Sequence, residues 1–258
     1  MKGYYKEVAQ KALNAFQHHS ILVGLFERML GGEILAHPRI PARNIFPKKV
    51  AFTTQPHQDY ITIQGTTNHY AAWIPLGDCE VEMGGLEISR GSHKYGVYPI
   101  QPALGTGQQV TLIEHPQKWE YSPFAGSDVI IHNCLTLHRG VPNQSGQMRL
   151  FMDYPYQRVD EPICIRSLNP SHQLATWAEV YSGWDDDAYK YCWRDLHLDI
   201  VEYDYKYFDE RTELAIQIGH AGDIQAQSCL EGIIQKYRDP GFRQRSTVAL
   251  AALKALVD

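Results

Sequence analysis

Residues 128–156 read DVIIHNCLTLHRGVPNQSGQMRLFMDYPY, two apolar runs on either side of a polar segment. The first run, Asp128–His132, and the last, Arg149–Tyr156, are short and rich in residues that favour strands. The segment between them contains Gly, Pro, Asn and Ser, which favour a turn. The sequence therefore predicts two β-strands joined by a turn, with His138 before the turn and Arg149 after it.

Further short apolar stretches precede this segment, and Gly, Pro, Asn and Asp divide them. They are Val50–Thr54, Tyr70–Leu76, Gly85–Ile88 and Val110–Ile113. Many short strands separated by turn residues are typical of an all-β sandwich or barrel. The chain shows neither a Gly-rich phosphate loop nor a βαβ alternation. We therefore expect a mainly β fold, a double-stranded β-helix or jelly roll.

A histidine and an aspartate flank Gln58 in the sequence His57-Gln58-Asp59. Alternate side chains of a β-strand share a face, so His57 and Asp59 are expected to hold one metal ion while Gln58 turns away. The other interpretation is an Asx turn after the preceding proline. A third ligand is expected from a distant strand, where His132 and His138 would point to one face and both are candidates.

Two histidines and one carboxylate on one face leave coordination positions free, which is typical of non-haem Fe(II) oxygenases. Arg149 adds a planar guanidinium, which offers two parallel donors to one carboxylate. Arg139 and Arg158 are its nearest rivals. The other interpretation of Arg149 is an ordinary surface salt bridge.

Several motifs together resemble the phytanoyl-CoA dioxygenase family of Fe(II)/2-oxoglutarate-dependent oxygenases. They are Pro56-His57-Gln58-Asp59, Gly84-Gly85-Leu86-Glu87-Ile88, Gly91-Ser92-His93-Lys94, Gly126-Ser127-Asp128 and the run from His138 to Arg149. The resemblance favours His138 over His132, because the family's His-x10-Arg spacing matches at Arg149. It also implies that the N-terminal part of the fold is shortened here.

The resemblance implies an enzyme that uses Fe(II), 2-oxoglutarate and O2. His57, Asp59 and His138 would bind the iron and serve as the catalytic centre. Arg149 would bind the distal carboxylate of 2-oxoglutarate, and Thr54 and Trp73 would form walls of the same pocket. The expected reaction is oxidation, usually hydroxylation, of an unactivated C–H bond in a small-molecule substrate, with release of succinate and CO2.

Two other functions remain open. One is a non-catalytic jelly-roll protein that has kept its metal ligands. The other is a cofactor-independent cupin-type metalloenzyme, such as an oxygenase or epimerase, although only a carboxylate cosubstrate needs the guanidinium of Arg149. The chain has no strongly basic cluster of the kind a CoA pocket needs, so a smaller substrate is preferred.

The flanking segments differ from the β-rich centre. Residues 4–30 are expected to be helical, with Ser20 as an N-cap and Gly31-Gly32 as a stop. The aromatic segment 160–208 is expected either to pack over the barrel mouth or to form an interface. Glu210–Ile218, Asp223–Tyr237 and Gln244–Val257 are expected to form helices. We therefore expect a jelly-roll oxygenase domain over residues 1–208 and a helical appendage over 209–258, through which the chain would form a homo-oligomer.

Composition excludes several classes of partner. The chain has 258 residues and a formal net charge of −5, and its charges are interspersed, so no basic patch predicts nucleic-acid binding. No apolar run reaches the roughly 18 residues of a membrane span, and Met1–Tyr5 lacks an apolar signal-peptide core. The five cysteines form no CxxC pair, which favours reduced thiols and a cytoplasmic location.

Overall fold

The predicted strands on either side of the polar segment are present, and the second is the central strand of a sheet. A computed structural model describes residues 11–47, 54–104, 109–111, 118–170 and 176–257. Its larger sheet is antiparallel and contains β1 (Ile34–Ala36), β2 (Ala42–Ile45), β3 (Tyr70–Pro75), β8 (Ile130–Asn133) and β10 (Arg149–Arg158). Strand β10 pairs with β3 along one edge and with β1 and β2 along the other.

A smaller antiparallel sheet faces the cavity described below. Its middle strand β4 (Leu86–Ser89) pairs with β7 (Trp119–Glu120) and with β9 (His138–Gly140). Two further pairs are β5 (Ile100–Pro102) with β6 (Gln109–Thr111), which is antiparallel, and β11 (Ile163–Cys164) with β12 (Ile200–Val201), which is parallel. The predicted strand at 50–54 lies, apart from Thr54, outside the described residues.

The prediction of a mainly β chain was wrong. In the described part of the chain, residues in α-helices outnumber residues in strands. The architecture is mixed, with antiparallel sheets in the centre and helices at both ends. The helices are α1 (Lys11–Gln17), α2 (Ser20–Leu30), the single turn α3 (Tyr60–Ile63), α4 (Trp177–Tyr181), α5 (Lys206–His220), α6 (Gln227–Lys236) and α7 (Pro240–Val257).

Side chains of β10 alternate between two environments, as the period of a strand requires. On one face Met152, Tyr154 and Tyr156 join a hydrophobic core with Phe26 of α2. The Phe26 and Tyr156 rings stack with centroids 4.1 Å apart. The opposite face carries Arg149, Phe151 and Asp153 into a cavity. One strand therefore supplies both the core under α2 and a wall of the candidate site.

The N-cap of helix α2 lies one residue earlier than predicted. The N-cap is His19, whose side chain accepts a hydrogen bond from the Ile21 backbone N–H, and Ser20 is the first helical residue. Gly31 ends the helix in the left-handed conformation with φ 72°, which glycine adopts without steric cost. The predicted stop is thus confirmed.

The aromatic segment forms a small core of its own. Tyr181, Trp184 and Trp193 are buried together with Ile163 of β11 and Leu35 of β1. This packing attaches the segment to the edge of the larger sheet. The segment also contacts the helical turn that follows Asp59, because the Tyr203 hydroxyl donates a hydrogen bond to the Ile61 carbonyl at 2.9 Å.

The three C-terminal helices pack on one another around Ile216, Leu230 and Leu253. Their contacts with the rest of the chain include Leu104, which packs against this cluster, and the Ala103 carbonyl, which accepts a hydrogen bond from Arg211 at 2.9 Å. The proposed domain boundary at 208/209 falls within the first turn of α5. None of the helices in the described ranges combines the length and the apolar character that crossing a bilayer requires.

Candidate active site

The three side chains predicted as metal ligands meet at one point. His57 and His138 form a two-way backbone bridge, with N–H to O distances of 3.0 and 3.1 Å. The Oδ1 atom of Asp59 lies 3.6 Å from Nε2 of each histidine. The three candidate ligand atoms all lie within 4.8 Å of one another. Two atoms bound to one ion at 2.0–2.2 Å are at most about 4.4 Å apart, so small movements suffice for a common ion.

Asp59 reaches this point by a different route from the one predicted. His57 is in an extended bridge, but Asp59 has helical dihedrals, φ −62° and ψ −30°, and precedes α3. The expectation that both lie on one strand was therefore wrong. Gln58 does turn away: its buried amide donates to the carbonyls of Gly96 and Leu135, at 2.9 and 2.6 Å. These hydrogen bonds stabilise the turn that places Asp59 beside the two histidines.

Both imidazoles are oriented by the same kind of contact. Nδ1 of His57 lies 2.8 Å from the Gln55 carbonyl, and Nδ1 of His138 lies 2.9 Å from the Thr136 carbonyl. A carbonyl only accepts, so each Nδ1 carries a proton, and in the neutral ring Nε2 is then the nitrogen that presents a lone pair. Metal-binding histidines are commonly held in this way. The set therefore offers two imidazole nitrogens and one carboxylate oxygen.

The electrostatics favour the protonation states that a metal needs. Burial alone would raise the pKa of Asp59, but His138, His57 and His132 around it hold that pKa below its ordinary value. Burial, reinforced by His57, lowers the pKa of His138 well below its ordinary value. An ionised carboxylate and a neutral imidazole are the forms that bind metal. The donor set thus fits a divalent ion such as Fe(II).

These residues line a cavity between the two sheets. The cavity opens to solvent, and the space within its lining is about 420 Å³ when that opening is counted. Every residue predicted for the site lines it: Thr54, His57, Asp59, Trp73, His138 and Arg149. The structure therefore brings the whole predicted set together.

Arg149 is the predicted arginine that lines the cavity. It is 3% exposed, and its Nη1 donates to the Met83 carbonyl at 3.2 Å. Its Nε is buried and has no hydrogen-bond partner in the described part of the chain. The rivals lie elsewhere: Arg139 pairs with Glu87, and Arg158 pairs with Asp160. An unused donor on a buried cation is suited to an anionic ligand.

The two proposed walls differ in character. Trp73 is 1% exposed, and its ring lies 5.1 Å from those of Phe124 and Phe151. It joins the hydrophobic core of the cavity wall. Thr54 is polar, and its Oγ1 accepts a hydrogen bond from Nη1 of Arg43 at 3.4 Å.

His132 lies behind the candidate ligands. Its ring centroid is 4.5 Å from that of His138, and it is buried. Among the described residues, the candidate ligand atoms that converge are those of His57, Asp59 and His138, and His132 is not one of these residues. Its position fits support of the His138 ring.

Sequence reasoning missed two charged residues of the cavity, Arg43 and Asp153. Burial, with the nearby charge of Asp59, raises the pKa of Asp153 to about 7, and Arg43 opposes that shift. Asp153 could have been predicted from the alternation of side chains along a strand, since it lies on the same face of β10 as Arg149. Arg43 lies in the short polar strand β2, and no pattern in the sequence marks it.

Comparison with known proteins agrees with this geometry. The family model for phytanoyl-CoA dioxygenase (PhyH) matches residues 4–151. Two curated relatives are named 1-deoxypentalenic acid 11-beta-hydroxylase. The one from Streptomyces exfoliatus is 26% identical over 176 residues, 59% of each chain. The one from Streptomyces arenae is 28% identical over 139 residues, 46% of each chain. The chain thus spans about three-fifths or less of the length of these relatives.

Among solved structures, the epimerase SnoN in complex with Fe3+, alpha ketoglutarate and nogalamycin RO superposes with a TM-score of 0.50. Its sequence is 20% identical, and the match covers 61% of this chain and 62% of that one. This likeness concerns the fold. The family model, by contrast, covers more than half of the chain and contains both the His57-Gln58-Asp59 motif and the run from His138 to Arg149. The chain therefore belongs to the phytanoyl-CoA dioxygenase family.

Proposed function

We propose that this protein is an Fe(II)- and 2-oxoglutarate-dependent dioxygenase that oxidises an unactivated C–H bond of a small molecule, usually by hydroxylation, with release of succinate and CO2. One observation carries the proposal: the ligand atoms of His57, Asp59 and His138 converge in the cavity into which Arg149 points. The two hydroxylases to which the chain is similar support it.

The residues of the chain have separate tasks in this proposal. His57, Asp59 and His138 hold the iron, and Arg149 holds the distal carboxylate of the cosubstrate. When bound, iron and 2-oxoglutarate supply the O2-dependent oxidation, which is chemistry that no side chain provides. The carbonyl contacts of the two histidines orient their rings before the ion arrives. Trp73 and the facing aromatic rings keep the inner part of the cavity dry.

The finer description of the fold is also proposed. Two antiparallel sheets on either side of a cavity fit a double-stranded β-helix, or jelly roll. We retain residues 1–208 as the oxygenase domain and 209–258 as a helical appendage. Assembly of a homo-oligomer through the appendage is part of this proposal.

Succinate release tests the proposed function. The protein with Fe(II), O2 and 2-oxoglutarate should release succinate even without added substrate, and His57→Ala should abolish that release. The matched control is His197→Ala, because His197 is exposed and lies outside the cavity.

The same samples distinguish the two alternatives. Metal binding without 2-oxoglutarate binding or succinate release would favour a non-catalytic metal-binding protein. Substrate turnover that requires the metal but not 2-oxoglutarate would favour a cofactor-independent metalloenzyme. Either result would refute the proposed function.

A further inference from the structure

Arg43 and Asp153 line the cavity, but the proposed roles leave them unused. Arg43 lies on β2 opposite Phe151, and Asp153 lies on β10 opposite Trp73. Arg149 and Asp153 share a face of β10 and are four residues apart, so their Cα atoms are separated by about 13 Å. Asp153 therefore lies at the opposite end of this cavity wall from the arginine proposed for the cosubstrate.

Neither residue is satisfied by the protein alone. No described group donates a hydrogen bond to the Asp153 carboxylate, although its backbone N–H donates to Pro41 at 3.0 Å. The side-chain hydrogen bond of Arg43 is a long one, 3.4 Å to Thr54. The two side chains do not form a direct ion pair among the described residues, but the charge of Arg43 is near enough to lower the pKa of Asp153. A ligand that displaces water here must supply partners to both.

The formal charges of the loaded cavity balance without a charged substrate. Two charges on the ion and one on Arg149 match the charge of Asp59 and the two carboxylates of 2-oxoglutarate. Arg43 and Asp153, the latter in its ionised form, then match each other. A further charge beside them would be buried without a counterion, whereas an alkyl group would leave the Asp153 carboxylate without a hydrogen-bond donor and Arg43 with only its long contact to Thr54.

We propose that Arg43 and Asp153 determine substrate specificity and select a neutral substrate that carries oxygen functions. In such a substrate one hydroxyl donates to Asp153, and the same or a neighbouring oxygen accepts from Arg43. The adjacent Trp73 and Phe151 rings contact its carbon skeleton. The inference rests on the proposed function and names the substrate class of the same cavity.

A set of matched probes tests the inference on the full chain loaded with Zn(II) and 2-oxoglutarate. The probes are cyclohexylmethanol, cyclohexanecarboxylate and cyclohexylmethylamine, which share a skeleton and differ in charge. Ligand-observed NMR titration gives their affinities. The unmodified protein should bind the alcohol at least tenfold more tightly than either ion.

Two substitutions should change this ranking in opposite directions. Asp153→Asn keeps the shape but leaves Arg43 as an unmatched cation, so the carboxylate should become the preferred probe. Arg43→Gln leaves Asp153 as an unmatched acid, so the amine should become preferred. Arg139→Gln and Asp160→Asn change the same residue types outside the cavity and should leave the ranking as it is.

Titration of 2-oxoglutarate on the same samples keeps this inference separate from the proposed function. If 2-oxoglutarate fails to bind the Zn(II)-loaded protein, the proposed function and with it the inference are refuted. If it binds but the carboxylate is preferred from the start, or the ranking ignores both substitutions, the inference alone is refuted. Loss of 2-oxoglutarate binding in Arg43→Gln, with retention in Arg149→Lys, would assign Arg43 to the cosubstrate and also refute it. If Arg43→Gln does not fold, Asp153→Asn decides the matter.

Discussion

Replacing Arg149 by lysine keeps the positive charge but removes the geometry that binds a carboxylate. In the structure the guanidinium donates to the Met83 carbonyl through Nη1 and still has an unused buried Nε. A lysine ammonium is a point charge and cannot serve that carbonyl and two carboxylate oxygens with fixed parallel donors. Loss of one hydrogen bond to a charged group costs about 1.5–3 kcal/mol. The dissociation constant for 2-oxoglutarate, and its KM, should therefore rise about tenfold to a hundredfold.

The assay is a 2-oxoglutarate titration of the Zn(II)-loaded protein, followed by the KM for succinate release with Fe(II). Metal affinity should change little, because Arg149 is not among the proposed ligands. Arg139→Lys is the control, since Arg139 pairs with Glu87 away from the cavity. An unchanged 2-oxoglutarate dissociation constant in Arg149→Lys would refute the assignment. Arg43 would then be the next residue to test, because it is the other arginine found in the cavity lining.

Three further predictions concern the ligands, the pH dependence and the tail. Alanine in place of any one of the three proposed ligands should abolish binding of a divalent ion, measured as metal content after dialysis, whereas His132→Ala should retain it. Asp153 has a pKa raised to about 7 in the folded chain, so its contribution to stability is present at acidic pH and is lost as the pH rises through 7. Asp153→Asn should therefore stabilise the metal-free protein at pH 8, by about 1–4 kcal/mol, and not at pH 4, as measured by chemical denaturation. Truncation after Tyr207 should lower solubility or change the oligomeric state in light scattering, while metal and 2-oxoglutarate binding survive. Loss of cosubstrate binding in a truncated protein that is still folded would place the tail over the cavity mouth.

The composition of the candidate site was predictable from the sequence, but its local geometry was not. Spacing and family resemblance favoured His138 over His132, and the structure brings the His138 ring to His57 and Asp59. His57 and Asp59 converge as predicted, but not because they alternate along one strand. The turn that places Asp59 depends on the buried amide of Gln58 and its carbonyl partners in distant segments. Contacts of that range leave no local pattern in the sequence.

The fold was predictable where the hydrophobic pattern is periodic. The strand β10 and the three C-terminal helices follow such patterns, and each is present near its predicted position. The mainly β expectation was wrong because the apolar stretches of the centre were weighted over the helical ends. Strand β2 was missed because Ala42–Ile45 has only four residues, of which two are polar, and only its pairing with β10 makes it a strand.

The alternation of side chains along β10 has a consequence for how such a protein can diversify. Variation at Asp153 changes what the cavity recognises, whereas variation at Met152 or Tyr154 changes the core beneath α2. Neighbouring positions are thus subject to different selection, one for chemistry and the other for folding. A directed-evolution library at Asp153 should contain more folded members than one at Met152 and Tyr154, and it should yield altered substrate preference.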